Sequence, residues 1–491
     1  MKLVVIGMDG AQVETLLRGW TPYLASIIDN GESFNLKEDL ISRGWAEIAF
    51  GEYATVTGAM YDRPVLDGSY TWTDTFNLKN IPGLGDDVKP LWQVLNERGY
   101  KAGIMNVPTA YPAPQVDGFF VSGGGGGGRV SQEVATEQCY PSSVCDFLHD
   151  IGYILDERLG SLLFEKGLYE PALFFQRLDE MNQKRTTAFI ELSKKHDIDF
   201  GFVVYRSVMT AETLALPEID RQKAGEKNIN KPFLDAVEKF YRDFDEHIRK
   251  LVEAFPEAEV ILVSDHGTVP RRWSINLNAF LHQTGYQKTS VSRRKTYNLV
   301  TYFRHWIPVS VRKRLKGNQR IKTVYNSMTT FDPLHSLAFN NTRRNAIHGI
   351  YINDKRRFGG PVGESDKEAL KENIMKDFND HPEVLRHGLL AREPIAIEGK
   401  YSVYFPDIIV DMPDGYVPSN EGSEFVRRDC FPGNPIDLYE LKGDEKIIVK
   451  GHYPLAVSKD KSWRTYPTSE KYDLRVVYDH VLASFSGYKN S

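Results

Sequence analysis

Short apolar runs and amphipathic stretches alternate along this chain. Leu3 to Gly7, Phe200 to Tyr205 and Val260 to Val263 are nearly unbroken aliphatic and aromatic runs, the pattern of strands buried on both faces. Between them, apolar residues recur at helical spacing. Val13, Leu16, Leu17, Tyr23, Leu24 and Ile27 mark a helix over 11–30, which Thr21-Pro22 breaks or restarts. Val88, Leu91, Trp92, Val94 and Leu95 mark a second over 88–97, and Leu234, Val237, Tyr241, Phe244, Ile248 and Leu251 a third over 232–254. Residues 143–195 are helix-rich, and another helix falls at 366–379. Strand-like segments follow at Tyr100–Met105, Gly349–Asn353, Asp407–Val410 and Lys446–Val449. This repeated αβ order predicts an α/β fold: a mostly parallel sheet covered by helices.

Three of the apolar runs end beside chemistry. Val260 to Val263 runs through Ser264 into Asp265-His266-Gly267, Leu3 to Gly7 into Met8-Asp9-Gly10, and Lys446 to Val449 into Lys450-Gly451-His452. Ligands of open α/β sheets sit past the carboxyl ends of the strands. Asp9, Asp265 and His266 there could supply oxygen and nitrogen to one divalent metal. The plainer readings are that Asp9 and Asp265 cap turns and that His452 is a hydrogen-bonded structural histidine.

Trp45, Ile48 and Ala49 place a helix start near Gly44, with Ser42 at its entry. A hydroxyl there can attack a phosphoryl or sulfuryl group, or it can simply be an N-cap. Six glycines, Gly123 to Gly128, lack the layout of a phosphate-binding loop and read as a flexible rim.

Length changes the picture first: 491 residues exceed one simple core, so insertions or a second domain are expected. A net charge of -5 argues against a nucleic-acid surface. A basic stretch within 283–345 (Arg293-Arg294-Lys295, Arg312-Lys313-Arg314) is either a solvated face or a collar for an anionic substrate. Cys139, Cys145 and Cys430 form no disulfide framework, no secretory leader is evident, and no stretch approaches the ~20 apolar residues of a membrane span. The expectation is a cytoplasmic protein whose oligomeric state the sequence does not indicate.

The ordered pieces Val5-Ile6-Gly7-Met8-Asp9-Gly10, Thr21-Pro22-Tyr23-Leu24, Asn106-Val107-Pro108-Thr109-Ala110-Tyr111-Pro112, Val263-Ser264-Asp265-His266-Gly267, Gly349-Ile350-Tyr351-Ile352-Asn353, Pro406-Asp407-Ile408-Ile409-Val410 and Gly451-His452 resemble the alkaline phosphatase superfamily, in its type I phosphodiesterase/nucleotide pyrophosphatase branch. The resemblance implies a three-layer α/β/α sandwich with a mixed, mostly parallel sheet. It implies one catalytic domain over 1–491, with a helical insertion at 143–195 and a basic insertion or cap at 283–395. It also implies two divalent metals, zinc before manganese or magnesium, that clamp an in-line displacement. One would use Asp9, Ser42, Asp265 and His266; the other would use His452 with an Asp and a His after the Phe200–Tyr205 strand.

Two departures stand out. An ungapped match puts Ile41 at the nucleophile position, so Ser42, one residue late, is the expected nucleophile ahead of Thr55 and Thr57. The Asp and His expected after Tyr205 correspond to Met209 and Thr213, which are poor ligands, with Glu212 a substitute only if the register shifts. The resulting expectation is a metal-dependent phosphoester hydrolase or phosphotransferase, with a phosphodiester favoured over a monoester. Ser42 would form a phosphoseryl intermediate, and Arg43 and Asn106 are candidates for contacts to a small phosphorylated substrate. The alternative is a degenerate relative that binds phosphorylated ligands without turnover.

Overall fold

The computed structural model describes residues 1–73, 77–85, 87–123, 134–157, 162, 166–168, 170–288, 331–340, 348–394, 398–420, 423–429, 448–460, 463 and 471–486. The basic clusters within 293–322, most of the glycine tract and Cys430 lie outside these residues. The chain divides into two compact units: one comprises Met1–Tyr61, Thr75–Pro270 and Phe431–Ser491, the other Asp62–Asp74 and Arg271–Cys430.

The first unit is built on an eight-stranded sheet. Its strands are β1 (Leu3–Met8), β2 (Glu32–Ser33), β3 (Ala102–Val107), β4 (Gly118–Ser122), β5 (Cys139–Tyr140), β6 (Phe200–Tyr205), β7 (Glu259–Val263) and, after two strands named below, β10 (Ala456–Ser458). Their spatial order is β2-β10-β7-β1-β6-β3-β4-β5. The five central strands are parallel, and antiparallel pairs close both edges. A separate antiparallel ribbon pairs β8 (Gly267–Pro270) with β9 (Ile448–Gly451).

The unbroken apolar runs have a direct packing cause. Val4, Ile6 and Met8 of β1 enter one core and Leu3 and Val5 the other; Val260 and Leu262 of β7 part from Ile261 and Val263 in the same way. Both faces of the sheet are buried, so neither set of alternating positions can be polar. On one face lie α2 (Pro171–His196) and α4 (Lys231–Glu253); on the other lies the short α1 (Gly44–Phe50). α4 starts where the Asn230 side chain accepts the Phe233 N–H. Its Asp245 accepts the N–H groups of Tyr23 and Leu24, which caps the helix Pro22–Asn30 from outside. The single helix expected over 11–30 is therefore two, as the Thr21-Pro22 signal allowed. α3 (Ser207–Lys223), directly after β6, had no counterpart in the sequence reading.

The second unit holds a four-stranded antiparallel sheet ordered Ala338–Phe339, Gly349–Ile352, Ile408–Asp411, Leu390–Arg392, and a three-stranded sheet centred on Trp273–Ile275. Buried Arg357 bridges Asp354 and Asp407, so these charges are paired within the fold. No helix among the described residues is long and apolar enough to cross a membrane.

Candidate metal centre

The sheet register brings the site together. Gly7 of β1 lies opposite Val263 of β7, and two residues further along each strand come Asp9 and Asp265. On the other side of β1, Met8 lies opposite Tyr205 of β6, and the Asp9 N–H donates to the Tyr205 carbonyl. Ligand atoms of Asp9, Asp265 and His266 lie within 4.8 Å of one another, and all three residues are buried. Among the described residues this is the one such group of His, Cys, Asp or Glu.

Glycines make the convergence sterically possible. Gly10 holds φ +68°, and a Cβ there would stand 2.7 Å from Thr268 Oγ1 and 3.1 Å from His266 Cε1. Its N–H donates to Asp265 Oδ1 at 3.3 Å. A Cβ on Gly44 would meet the Asp265 carbonyl oxygen at 2.4 Å. The first turn of α1 therefore packs directly behind the strand end that carries Asp265.

The electrostatics fit a cation. Burial, and next the repulsion of Asp265, push the Asp9 carboxyl up to about 6; the charges of His266, Arg206 and Lys450 act the other way. Burial also raises Asp265, while Lys450, the Gly10 N–H and the Tyr61 hydroxyl ease it. Asp9 Oδ2 accepts the Trp45 indole N–H at 3.1 Å, but Asp9 Oδ1 is buried without a hydrogen bond. His266 Nδ1 donates to the Gly267 carbonyl at 2.6 Å, and its Nε2 stands 3.5 Å from Asp265 Oδ2. With the imidazole neutral, Nε2, Asp265 Oδ2 and the unsatisfied Asp9 Oδ1 offer one divalent ion a mixed nitrogen and oxygen set, and the Gly267 carbonyl fixes the tautomer.

The other candidates are placed differently. His452 lies outside the three-residue group; its Nδ1 donates to the Glu38 carbonyl at 2.7 Å. Ser42 is buried at the entry to α1, bridged to Met60. Its hydroxyl makes no hydrogen bond, yet it lies near enough to Glu47 to favour that residue's charged form. Glu47 and Glu38 form a buried acidic pair below Ser42. Burial, and next the repulsion of Glu38, hold Glu47 well above the usual carboxyl range; burial, and next the repulsion of Asp39 and Asp473, push Glu38 up to about 8, with the Leu474 N–H and Glu47 acting the other way. Arg43 donates from Nε to the Met60 carbonyl and stacks over the Tyr61 ring. The Asn106 amide, at φ +61°, donates to the Leu155 carbonyl and accepts from Tyr153, so it is engaged by the protein. Thr57 is held in its own helical turn, with its hydroxyl donating to the Tyr53 carbonyl and accepting from the Ala59 N–H. Thr55 is buried, its hydroxyl without a hydrogen bond.

The doubtful second set is also located. Met209 Cβ would lie 3.3 Å from a Cβ at Gly10, so Met209 does stand beside the site. Thr213, one turn on, donates its hydroxyl to the Met209 carbonyl. Glu212 Oε1 accepts the Gln12 N–H at 2.8 Å and the Tyr241 hydroxyl at 3.4 Å, its Oε2 is buried without a hydrogen bond, and the carboxyl feels the charge of Asp9. Sequence reasoning missed Trp45, Tyr61, Arg206 and Lys450 as parts of the site. Only the strand-end position of Arg206, and the place of Lys450 two residues before His452, signalled them.

Known proteins give the arrangement a context. The family described as type I phosphodiesterase / nucleotide pyrophosphatase matches residues 3–330. A phosphonoacetate hydrolase from Sinorhizobium meliloti 1021, solved with phosphonoformate, superposes with a TM-score of 0.53 at 10% identity, covering 99% of this chain and 96% of that one. An inactive variant of the murine ectonucleotide pyrophosphatase/phosphodiesterase 5, solved with AMP, gives 0.45 at 13% identity over 99% and 94%. The alkaline phosphatase PafA gives 0.43 at 11% identity over 96% and 93%. No curated protein matches the chain in sequence.

Proposed function

Because the chain belongs to the type I phosphodiesterase / nucleotide pyrophosphatase family of the alkaline phosphatase superfamily, a family of phosphoester-cleaving enzymes, we propose that it is a metal-dependent hydrolase or transferase of phosphoric esters, with diesters preferred. One observation carries the metal part of this reading. The buried Asp9 Oδ1 has no hydrogen bond, and His266 Nε2 faces Asp265 Oδ2. Asp9, Asp265 and His266 would hold the ion, with zinc suited to the mixed oxygen and nitrogen set. When bound, it supplies positive charge against the phosphoryl oxygens.

The chain's own residues do the rest in this reading. Ser42 Oγ attacks phosphorus in line, the alcohol leaves with the serine proton, and water then hydrolyses the phosphoseryl ester. Trp45 and the Gly10 N–H hold the two carboxylates in place. Arg43 brings positive charge to the entry of α1. The substrate class is a small phosphorus oxyanion, the chemistry of the phosphonoformate held by the phosphonoacetate hydrolase.

The test pairs metal analysis with hydrolysis of a generic aryl phosphodiester. Metal-dependent turnover that Ser42→Ala abolishes, with metal content intact, is the expected result. A protein that retains no metal and shows no turnover with any divalent ion is instead the degenerate binder suggested by Met209 and Thr213.

A further inference from the structure

We infer that this centre takes one divalent cation rather than two, and that Arg206 and Lys450 supply the positive charge a second ion would bring to the phosphoryl group. The inference rests on the preceding reading of Asp9, Asp265 and His266 as metal ligands.

Ligand supply is the first ground. A divalent ion of this kind needs three or four oxygen, nitrogen or thiolate donors. After the first ion claims its three, the neighbouring wall offers Met209, a thioether, and Thr213, whose hydroxyl is already given to the Met209 carbonyl. Glu212 gives Oε1 to the Gln12 N–H and the Tyr241 hydroxyl and keeps one buried, unpartnered oxygen, Oε2, a single donor where a second ion needs three. Among the described residues no second group of three donors forms.

The second ground is where the protein puts its own cations. Arg206 follows Tyr205, the residue opposite Met8, so the ends of β6, β1 and β7 present Arg206, Asp9 and Asp265 side by side. Arg206 is anchored by Asp156, with Nη1 to Oδ2 at 2.9 Å, and its side chain keeps 23% of its surface exposed. Lys450 lies opposite Thr268 in the β8–β9 ribbon, and its ammonium stands 3.6 Å from the centre of the Tyr61 ring. The Tyr61 hydroxyl in turn donates to Asp265 Oδ2 at 3.5 Å. Both cations therefore border the carboxylates from fixed backbone positions.

Charge balance is the third ground. Three carboxylates (Asp9, Asp265, Asp156) meet Arg206, Lys450 and one divalent ion, which leaves a small net positive charge for an anionic ligand. A second divalent ion would add two more positive charges, with the lone buried carboxyl of Glu212 beside Asp9 to oppose them.

The test uses the full chain saturated with zinc, freed of excess metal and analysed for metal per chain, with orthovanadate as the anion probe. One equivalent is expected. Arg206→Gln and Lys450→Gln should each keep that equivalent and the wild-type melting temperature within a few degrees, yet weaken vanadate binding about tenfold or more; Arg206→Lys should recover most of the loss. Two equivalents in the wild type overturn the inference while leaving the metal reading intact. Unchanged vanadate affinity in both glutamine variants overturns it as well. No metal at all overturns the ligand assignment beneath it.

Discussion

The Trp45 indole N–H donates to Asp9 Oδ2 at 3.1 Å, which ties the second residue of α1 to the carboxylate at the end of β1. Trp45 was legible only as one member of an apolar helical stripe. In the fold it also aims a ligand. Trp45→Phe should keep the packing and lose the hydrogen bond. We expect metal affinity to fall by about 10- to 100-fold, as when an outer-shell partner is lost, and stability by about 1 kcal/mol. Zinc titration alongside thermal melts checks both; an unchanged zinc affinity would show that Asp9 is aimed by something else.

Gly44→Ala tests the close approach of α1 to Asp265. The new Cβ would stand 2.4 Å from the Asp265 carbonyl oxygen, a backbone atom with little room to yield. A cost of about 1–3 kcal/mol is expected from overpacking, together with loss of metal because Asp265 must move. A variant with wild-type melting and full metal content would refute this packing.

Asp245→Ala provides a contrast away from the site. Asp245 accepts the N–H groups of Tyr23 and Leu24, so its loss uncaps a helix by two bonds. Stability should drop by about 1–2 kcal/mol, with metal content unchanged. Loss of metal in this variant would mean that the sheet and its cover are coupled more tightly than separate contacts predict.

Glu212 sets a pH dependence. Burial pushes its carboxyl from 4.5 up to about 8, so the folded state holds its proton more tightly than the unfolded chain. Native stability is then lost as pH rises from about 4.5 and levels off above about 8. Glu212→Gln stays neutral and can still accept from Gln12 and Tyr241. Its stability relative to wild type, read from melting curves, should climb between about pH 5 and pH 9 by a margin on the order of a few kcal/mol. Parallel melting curves across that range would rule out a protonated Glu212.

The legible part of this protein is the part whose causes are local. β1, β6 and β7 announced themselves because burial on both faces removes every polar position. Asp9, Asp265 and His266 stood out because an acid directly after such a strand, with a glycine to turn the chain, is a local pattern. Arg206 and Lys450 did not, because a cation after a strand looks like any solvated end; the register of β6 against β1, and of β8 against β9, is what places them beside the carboxylates. Glu38 and Glu47 carry no signal of their own in the apolar pattern, and tertiary packing buries them. Ser42 was placed at a helix entry from the Gly44–Ala49 spacing, and its neighbour Glu47 comes from the same helix. The amide of Asn106 looked available in sequence, but the fold spends it on Leu155 and Tyr153.

The shared level of Arg206, Asp9 and Asp265 on adjacent strands has a consequence for how such a protein can diverge. Moving any one of them means slipping a parallel ladder by a residue, which would turn every buried side chain of that strand to the opposite core. The charge pattern is therefore inherited with the sheet. Loops carry no such constraint. A descendant can rewrite its connections freely, while this charged cluster remains as fixed as the fold itself.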